Sequence, residues 1–268
     1  MLEPVPEGSA AGAVDRCDVL VIGGGPAGAT LSRLLAEKGR HVVLLEKDRH
    51  PRFHIGESLL PMNLPILERL GLLEQVRAIG LLKPGVEMCS DSHPSGCQTY
   101  RFEKAKNLRY PYAFEVRRSE FDALLMRHAA AGGACVYEGV KVIEVEPLAD
   151  DATKVTARDE NGRTLTWQAR FLVDASGRSA FLATRSGRKV KNPKHNAAAV
   201  FGHFENAERR HGRDEGNIAL YWFAHGWIWM IPLRDGTMSV GAVCWPDYLK
   251  GRKGSLDDFL WDTLRLSP

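Results

Sequence analysis

The chain has 268 residues, 44% of them hydrophobic and 26% charged, with a formal net charge of only +3. That size and composition fit a soluble globular protein of one large or two small domains, and exclude a disordered or fibrous chain. The weak, scattered positive charge gives no case for nucleic acid. The nearest basic run, 185–194, is broken by Ser186, Gly187, Val190, Asn192 and Pro193 and reads as a solvated loop.

No apolar run approaches the roughly 20 residues of a membrane span. Residues 1–14 are acidic and rich in Pro, Gly and Ala, lack the basic and apolar parts of a signal peptide, and read as a flexible tail. Cys17, Cys89, Cys97, Cys135 and Cys244 form no C-x-x-C pair. The pattern argues against a metal site or a redox dithiol and for a reduced, cytoplasmic setting.

In chain order, Asp18-Val19-Leu20-Val21-Ile22 is a short apolar run that stops at glycine, as a buried parallel strand does. Residues 27–38 carry Leu31, Leu34 and Leu35 at helical spacing, and Gly39 suits the helix end. A second strand follows over 41–45 and ends at Glu46, which completes a β-α-β unit. Residues 47–56 read as a loop, 63–80 as helical, and 81–114 as irregular because Pro and Gly punctuate them. Ser119 is expected to cap a helix over 120–131, closed by Gly132-Gly133. Segments 136–147, 153–158 and 164–169 have the look of a β-meander, with Asn161-Gly162 turning the last hairpin. Residues 171–173 return as a short strand that ends at Asp174-Ala175-Ser176-Gly177. Beyond it, 197–204, 217–223, 227–232 and 237–243 read as antiparallel strands, and a helix starts at Ser255.

The turn Gly23-Gly24-Gly25-Pro26-Ala27-Gly28 lies between strand and helix, and Glu46 follows Gly28 at close to the expected separation of about 20 residues. In such a dinucleotide turn Gly23 makes the bend, Gly25 lets backbone approach the pyrophosphate, and Gly28 lets the helix pack close. The helix N-terminus offers free N–H groups to phosphate. Glu46, followed by Lys47, can accept the ribose hydroxyls, and its charge would reject a 2′-phosphate.

The glycine turn does not separate NAD from FAD; the rest of the chain does. The β-α-β unit with its long excursion and meander resembles the glutathione-reductase-like FAD fold. Arg118-Ser119-Glu120-Phe121-Asp122 resembles the R-x-x-F-D element of flavin monooxygenases, whose arginine leans on the flavin side of the cofactor. Asp174 to Gly177, with Arg178, resembles the second glycine-containing turn of those enzymes. Gly56-Glu57-Ser58-Leu59-Leu60-Pro61 resembles the G-E-S-x-x-P loop of flavin-dependent halogenases, especially those acting on phenols and pyrroles, and Trp227-Ile228-Trp229-Met230-Ile231-Pro232 resembles their W-x-W-x-I-P element.

The resemblance implies an α/β fold: a FAD-binding, Rossmann-like three-layer domain over 15–190, with excursions, and an associated antiparallel β-rich substrate and flavin-shielding region over 191–268, incomplete at its C-terminus. It implies an enzyme of secondary metabolism that uses reduced FAD from a separate flavin reductase, oxygen and a halide, chloride or bromide. Hypohalous acid would then halogenate an electron-rich aromatic, free or tethered to a carrier protein. Gly56 would let backbone approach the flavin ring, with Glu57 and Ser58 supplying polar contacts or shaping a halide site. On a strand, Trp227, Trp229 and Ile231 share one face and would wall the organic substrate off from the flavin; Pro232 ends the strand or marks an edge. The family's catalytic lysine is best matched by Lys83, desolvated by Leu81 and Leu82; Lys104 and Lys106, in a charged stretch, are weaker matches. The family's later G-D turn and C-terminal part have no counterpart here. A flavin hydroxylase or a geranylgeranyl-reductase-like enzyme would explain the glycine turn, Arg118 and Asp174 equally well, and a non-catalytic flavin-binding remnant is the third reading.

Overall fold

The computed structural model describes residues 14–90, 96–106, 109–148, 152–190, 192 and 196–267. The expected tail up to residue 13, and Lys191, Pro193 and Lys194 of the basic run, lie outside them. In chain order the elements begin with β1 (Asp15–Ile22), α1 (Pro26–Glu37) and β2 (Val42–Glu46). Next come α2 (Leu64–Arg69), α3 (Leu73–Ile79), β3 (Leu81–Lys83), β4 (Gly85–Ser90), β5 (Cys97–Arg101) and β6 (Ala113–Glu115). Then follow α4 (Arg118–Ala131), β7 (Cys135–Glu138), β8 (Lys141–Pro147), β9 (Thr153–Arg158), β10 (Thr164–Asp174) and α5 (Phe181–Arg185). The chain continues with β11 (Ala198–Phe204), β12 (Ile218–Phe223), β13 (Gly226–Pro232), β14 (Met238–Cys244), α6 (Pro246–Lys250) and α7 (Leu256–Leu264). Among the described residues no helix is long and apolar enough to cross a membrane.

The chain divides into two compact units. The first takes the described residues up to His54 together with Arg118–Val190; the second takes those within Ile55–Arg117 and after residue 190. The sequence expectation is a cofactor domain over 15–190, with excursions, and a boundary at 190/191. By contacts, 55–117 groups with the later strands, because β4 pairs in parallel with β12, Val86 opposite Ile218.

The first unit is an α/β layer structure. Its sheet runs β7-β2-β1-β10-β9-β8. β7, β2, β1 and β10 are parallel, and β9 and β8 extend the sheet antiparallel. Strand alternation sorts the side chains. Leu20, Ile22, Val43 and Leu45 form one core cluster with Val142, Val155, Ala157, Leu165 and Trp167 of the meander. Helices α1 and α4 pack on each other and on the parallel strands. Two sequence expectations change here. The segment read as one strand over 136–147 breaks at Gly139, φ +71°, so β7 lies at one edge of the sheet and β8 at the other. Residues 171–173 are not a separate strand but the end of the 11-residue β10, which pairs with β9 along one edge and β1 along the other.

The second unit holds a sheet in the order β11-β14-β13-β12-β4-β5 and a small ribbon of β3 and β6. One face of the large sheet packs on α7 through Phe259 and Leu260. The other carries Trp229, Ile231, Ile218 and Leu233, with Phe201, Trp227 and Ile55 against them. Segment 81–114 is therefore not irregular throughout: among its described residues it holds four short strands, β3 to β6. Helix 63–80 is two helices, interrupted where Gly71 takes φ +69°. Cys89 and Cys97 sit opposite each other on β4 and β5 and form a disulfide, eight residues apart in sequence and so outside any C-x-x-C spacing. Cys17, Cys135 and Cys244 take part in no disulfide.

Candidate functional site

In the first unit the glycine turn closes where the motif places it. Gly23 adopts φ +102°, and a Cβ there would sit 2.6 Å from the Ala175 carbonyl oxygen. A Cβ on Gly28 would lie 1.9 Å from the Gly23 oxygen, so α1 can approach the turn only through glycine. Gly25 differs: the nearest atom to a Cβ there is Arg52 Nη2 at 3.8 Å, which leaves open space. It is also the N-cap of α1, with no side-chain cap, Pro26 in the first turn, exposed Ala27 following, and no acidic residue there. The first N–H groups of the helix are thus left for an anion.

Glu46, at the end of β2, is buried. Its Oε2 accepts from Gly24 N–H at 2.6 Å and its Oε1 from Asp48 N–H at 2.9 Å; Lys47 is exposed beside Asp48. Arg52, which the motif search passed over, reaches toward Glu46 Oε2 (4.0 Å) and Asp122 Oδ2 (3.4 Å). Its Nε is buried with no hydrogen-bond partner among the described residues. Arg118 opens α4, so the helix begins before Ser119 and Ser119 does not cap it. Arg118 instead makes a fork to Asp122, Nε to Oδ1 at 2.8 Å and Nη2 to Oδ2 at 2.9 Å. Asp174 accepts from Ser176 N–H and Leu182 N–H, 3.0 and 2.8 Å. Burial opposes its charge, but these hydrogen bonds prevail and hold the carboxyl below its ordinary value. Gly177, φ +61°, completes that turn, and the turn lies against Gly23 and Gly28 through Ala175. An open cradle at Gly25, bare helix N–H groups and a part-buried Arg52 guanidinium whose Nε has no hydrogen-bond partner among the described residues fit the diphosphate of a dinucleotide.

In the second unit the G-E-S loop and the lysine come together, and Ile55, just before the loop, packs against the cluster that holds Trp229 and Ile231. The loop pairs with β6: Leu59 N–H donates to the Phe114 oxygen and Val116 N–H to the Glu57 oxygen. Gly56 supplies φ +108° at its start. Lys83 closes β3, diagonal to Glu115 on the same face of the ribbon, and is only 1% exposed. Its Nζ donates to Ser58 Oγ at 2.5 Å and to the Leu59 oxygen at 3.0 Å. It lies 3.7 Å from Glu115 Oε1 and 5.6 Å from the Phe102 ring centroid. Ser58 in turn donates to Glu115 Oε1 at 3.2 Å. Burial pushes the Lys83 ammonium below its ordinary value, against the pull of Glu115. Burial likewise pushes Glu115 up to about 8, against the Lys83 charge and the hydrogen bonds it receives, with Glu57 adding to the rise. The desolvation does not come from Leu82, which is 47% exposed on the other face.

Glu57 turns inward, and its Oε1 meets His203 Nε2 at 2.8 Å. His203 Nδ1 faces Arg117 at 3.3 Å, and Arg117 reaches Asp235 and Thr237. Neither Glu115 nor His203 was singled out by motif; both are brought in by pairings far apart in sequence.

Trp227, Trp229 and Ile231 do share one face of β13. β13 lies between β12 and β14, so Pro232 ends a central strand and does not mark an edge. Trp229 is buried and donates from Nε1 to Ser239 Oγ at 3.1 Å. Its ring crosses the space over Gly241, where a Cβ would come within 2.3 Å of it. Trp227 is half-buried, with its ring centroid 6.0 Å from that of Trp229. Opposite Trp227 on β12 stands Trp222, 47% exposed, which extends the aromatic face.

A description of FAD binding domains matches residues 16–265. The chain belongs to the FAD binding domain family. Its mixed sheets match the folds of FAD-dependent halogenases. The family member is 39% identical over 257 residues to a tryptophan 2-halogenase of Chondromyces crocatus, covering 93% of this chain and 48% of that one. It is 31% identical to a 1H-pyrrole-2-carbonyl-[peptidyl-carrier protein] chlorinase of Pseudomonas fluorescens, covering 92% of this chain and 60% of that one. Among solved structures it is similar to the myxobacterial chondrochloren halogenase, with 35% identity, a TM-score of 0.86, and coverage of 95% of this chain and 58% of that one. The chain thus spans about half to three fifths of the length of these relatives.

Proposed function

We propose that this FAD-binding chain carries the reactive centre of a flavin-dependent halogenase of natural-product biosynthesis. The observation that supports this most is the buried Lys83 ammonium, hydrogen-bonded by Ser58 of the G-E-S loop. Gly23, Gly25, Pro26, Ala27, Gly28, Glu46, Lys47, Arg52, Arg118, Asp174 and Gly177 are the residues assigned to the cofactor in the first unit. Gly56, Glu57 and Ser58 belong to the second. Bound reduced FAD, supplied with electrons by a separate flavin reductase, would turn oxygen and halide into hypohalous acid.

The chain's own residues then direct that oxidant. Lys83 Nζ can hold hypohalous acid by hydrogen bond, or as a neutral amine accept its halogen: the N–X bond forms as the X–O bond breaks, and water leaves. The Trp227, Trp229 and Ile231 face presents bulk and no acid or base, which suits exclusion of an organic molecule and passage of a small oxidant. The halogen would pass to an electron-rich carbon of a phenol or pyrrole, free or tethered to a carrier protein.

The test is incubation with FAD, a flavin reductase, NADH and bromide against a panel of phenols and pyrroles, read by mass spectrometry. Brominated product is expected, and Lys83→Ala should abolish it while NADH consumption continues. Hydroxylated product without bromine would favour a flavin hydroxylase. Failure to retain flavin would favour a binding remnant.

A further inference from the structure

Four groups of the second unit crowd one buried spot. Lys83 Nζ donates to Ser58 Oγ, and Ser58 Oγ donates to Glu115 Oε1. The direct separation of the two charged ends is 3.7 Å, and both side chains are 1% exposed or less. The second oxygen of Glu115 is buried and has no hydrogen-bond partner among the described residues, and the same holds for Glu57 Oε2. A fully ionised Glu115 would therefore leave a carboxylate half-satisfied in an apolar shell, beside a second buried carboxylate. A fully protonated pair would leave the ammonium with no counter-charge. One proton held jointly avoids both.

We propose that Lys83 and Glu115 share a single proton through the Ser58 hydroxyl, which makes Glu115 a positioning residue that sets how often Lys83 presents a free amine. The hydroxyl serves both directions. It accepts from Lys83 and donates to Glu115 in the ion pair, and accepts from the Glu115 carboxyl and donates to Lys83 in the neutral pair. Each exchange moves one proton along each of the two hydrogen bonds, and the net charge of the pair is zero in both states. Resting on the lysine role above, the neutral pair is the state in which the amine can take halogen: R–NH2 and HOX give R–NHX and water, with the relayed proton parked on Glu115. Transfer to the aromatic returns the amine, as ArH and R–NHX give ArX and R–NH2.

The other charged groups facing the pair are Glu57 from the loop, with His203 of β11 bonded to its far oxygen and Arg117 and Asp235 beyond. Phe102 contributes only a ring face to the lysine. Nothing cationic besides Lys83 is bonded directly to Glu115 among the described residues.

The experiment is a pH titration of the whole chain labelled with 15N at lysine Nζ and 13C at glutamate Cδ, without flavin or halide. The Lys83 signal is assigned by its loss in Lys83→Met. In the native chain, Lys83 Nζ and Glu115 Cδ are expected to move together in the same two steps, as strongly coupled sites do. In Glu115→Gln, close in shape, the lysine should titrate in one step. That titration should be complete at least about one pH unit lower, a tenfold loss of proton affinity, because no anion remains to hold the ammonium. A single lysine step at the same pH in both proteins would overturn the proposal. So would a Glu115 carbon that titrates alone near the ordinary carboxylate range, a result that needs only the native chain if the glutamine variant does not fold. The titration runs without catalysis, so its failure leaves the lysine's role to be decided by the bromination assay. Conversely, a shared proton in a chain that brominates nothing removes the function and keeps the pair.

Discussion

At the scale of single residues, the glycines of the turn separate into those the fold requires and one it leaves open. Gly28 cannot take a side chain without breaking the fold, since its Cβ would overlap the Gly23 oxygen. Gly25 can, because the space beside it is empty apart from Arg52. A bulky residue at 25 would therefore fill the place a diphosphate would take and leave the protein folded. Gly25→Val is expected to unfold at the same denaturant concentration as the native chain. It should bind FAD about 100-fold more weakly or worse, about 2.7 kcal/mol. Unchanged flavin affinity by titration would move the cofactor elsewhere. The steric demands on Gly23 and Gly28 were legible because each falls at a fixed place in the motif. Arg52 was not: an arginine in a loop looks like any solvated charge until the fold brings Asp122 and Glu46 to it. Glu115 was hidden for the same reason, lying in a three-residue strand whose partner, Lys83, is set by long-range pairing.

At the scale of elements, period alone revealed the strands of strong alternation and missed the short ones. β13 was readable from the indoles at i and i+2; β3, β4, β5 and β6 were not, each being only three to six residues long among Pro and Gly. What the motif could not show is how the wall is held. Trp229 keeps its ring flat along β14 because Gly241 has no side chain, and Ser239 on the same strand fixes the indole N–H. The aromatic wall is therefore a property of two strands, only one of which carries the signature. Gly241→Ala puts a methyl within the radius of the Trp229 ring and against Phe201 Cβ at 2.6 Å. An overpacked core of this kind typically costs about 1–3 kcal/mol. The expected result is a stability loss in that range, with altered near-ultraviolet dichroism from the displaced indole. A variant with native stability and spectrum would show that the ring has room to move.

At the scale of the whole molecule, the division into two units was only half visible. The strand pattern changes from residue 197 onward, just past the last crossing, but the crossings near 54 and 117 leave no such mark in the sequence. They depend on which strands β4 finds. The second unit carries the titrating pair, and its protonation is linked to the stability of the folded chain. Unfolded, Glu115 ionises near 4.5; folded, burial raises its value to about 8. Its raised value means that the folded state binds more proton between those limits. The stability it contributes is complete below pH 4.5 and is lost as pH rises through 8. Lys83 acts with opposite sign: its folded value is lowered, so its contribution grows as pH climbs toward 10.5. In a pair that shares one proton the two contributions offset each other, because the folded pair and its two unfolded residues each bind a single proton in the neutral range. In Glu115→Gln only the lysine remains, so the unfolding free energy of the native chain should fall relative to the variant as pH rises through the range in which the variant's Lys83 loses its proton, with a slope of at most about 1.4 kcal/mol per pH unit. Asp174 and Asp235, held below their ordinary values, contribute equally to both proteins and cancel in the difference. Urea denaturation of the two proteins at several pH values reads the slope directly. Parallel curves would mean that Lys83 keeps its proton as firmly in the variant as in the native chain, and that Glu115 does not set its protonation.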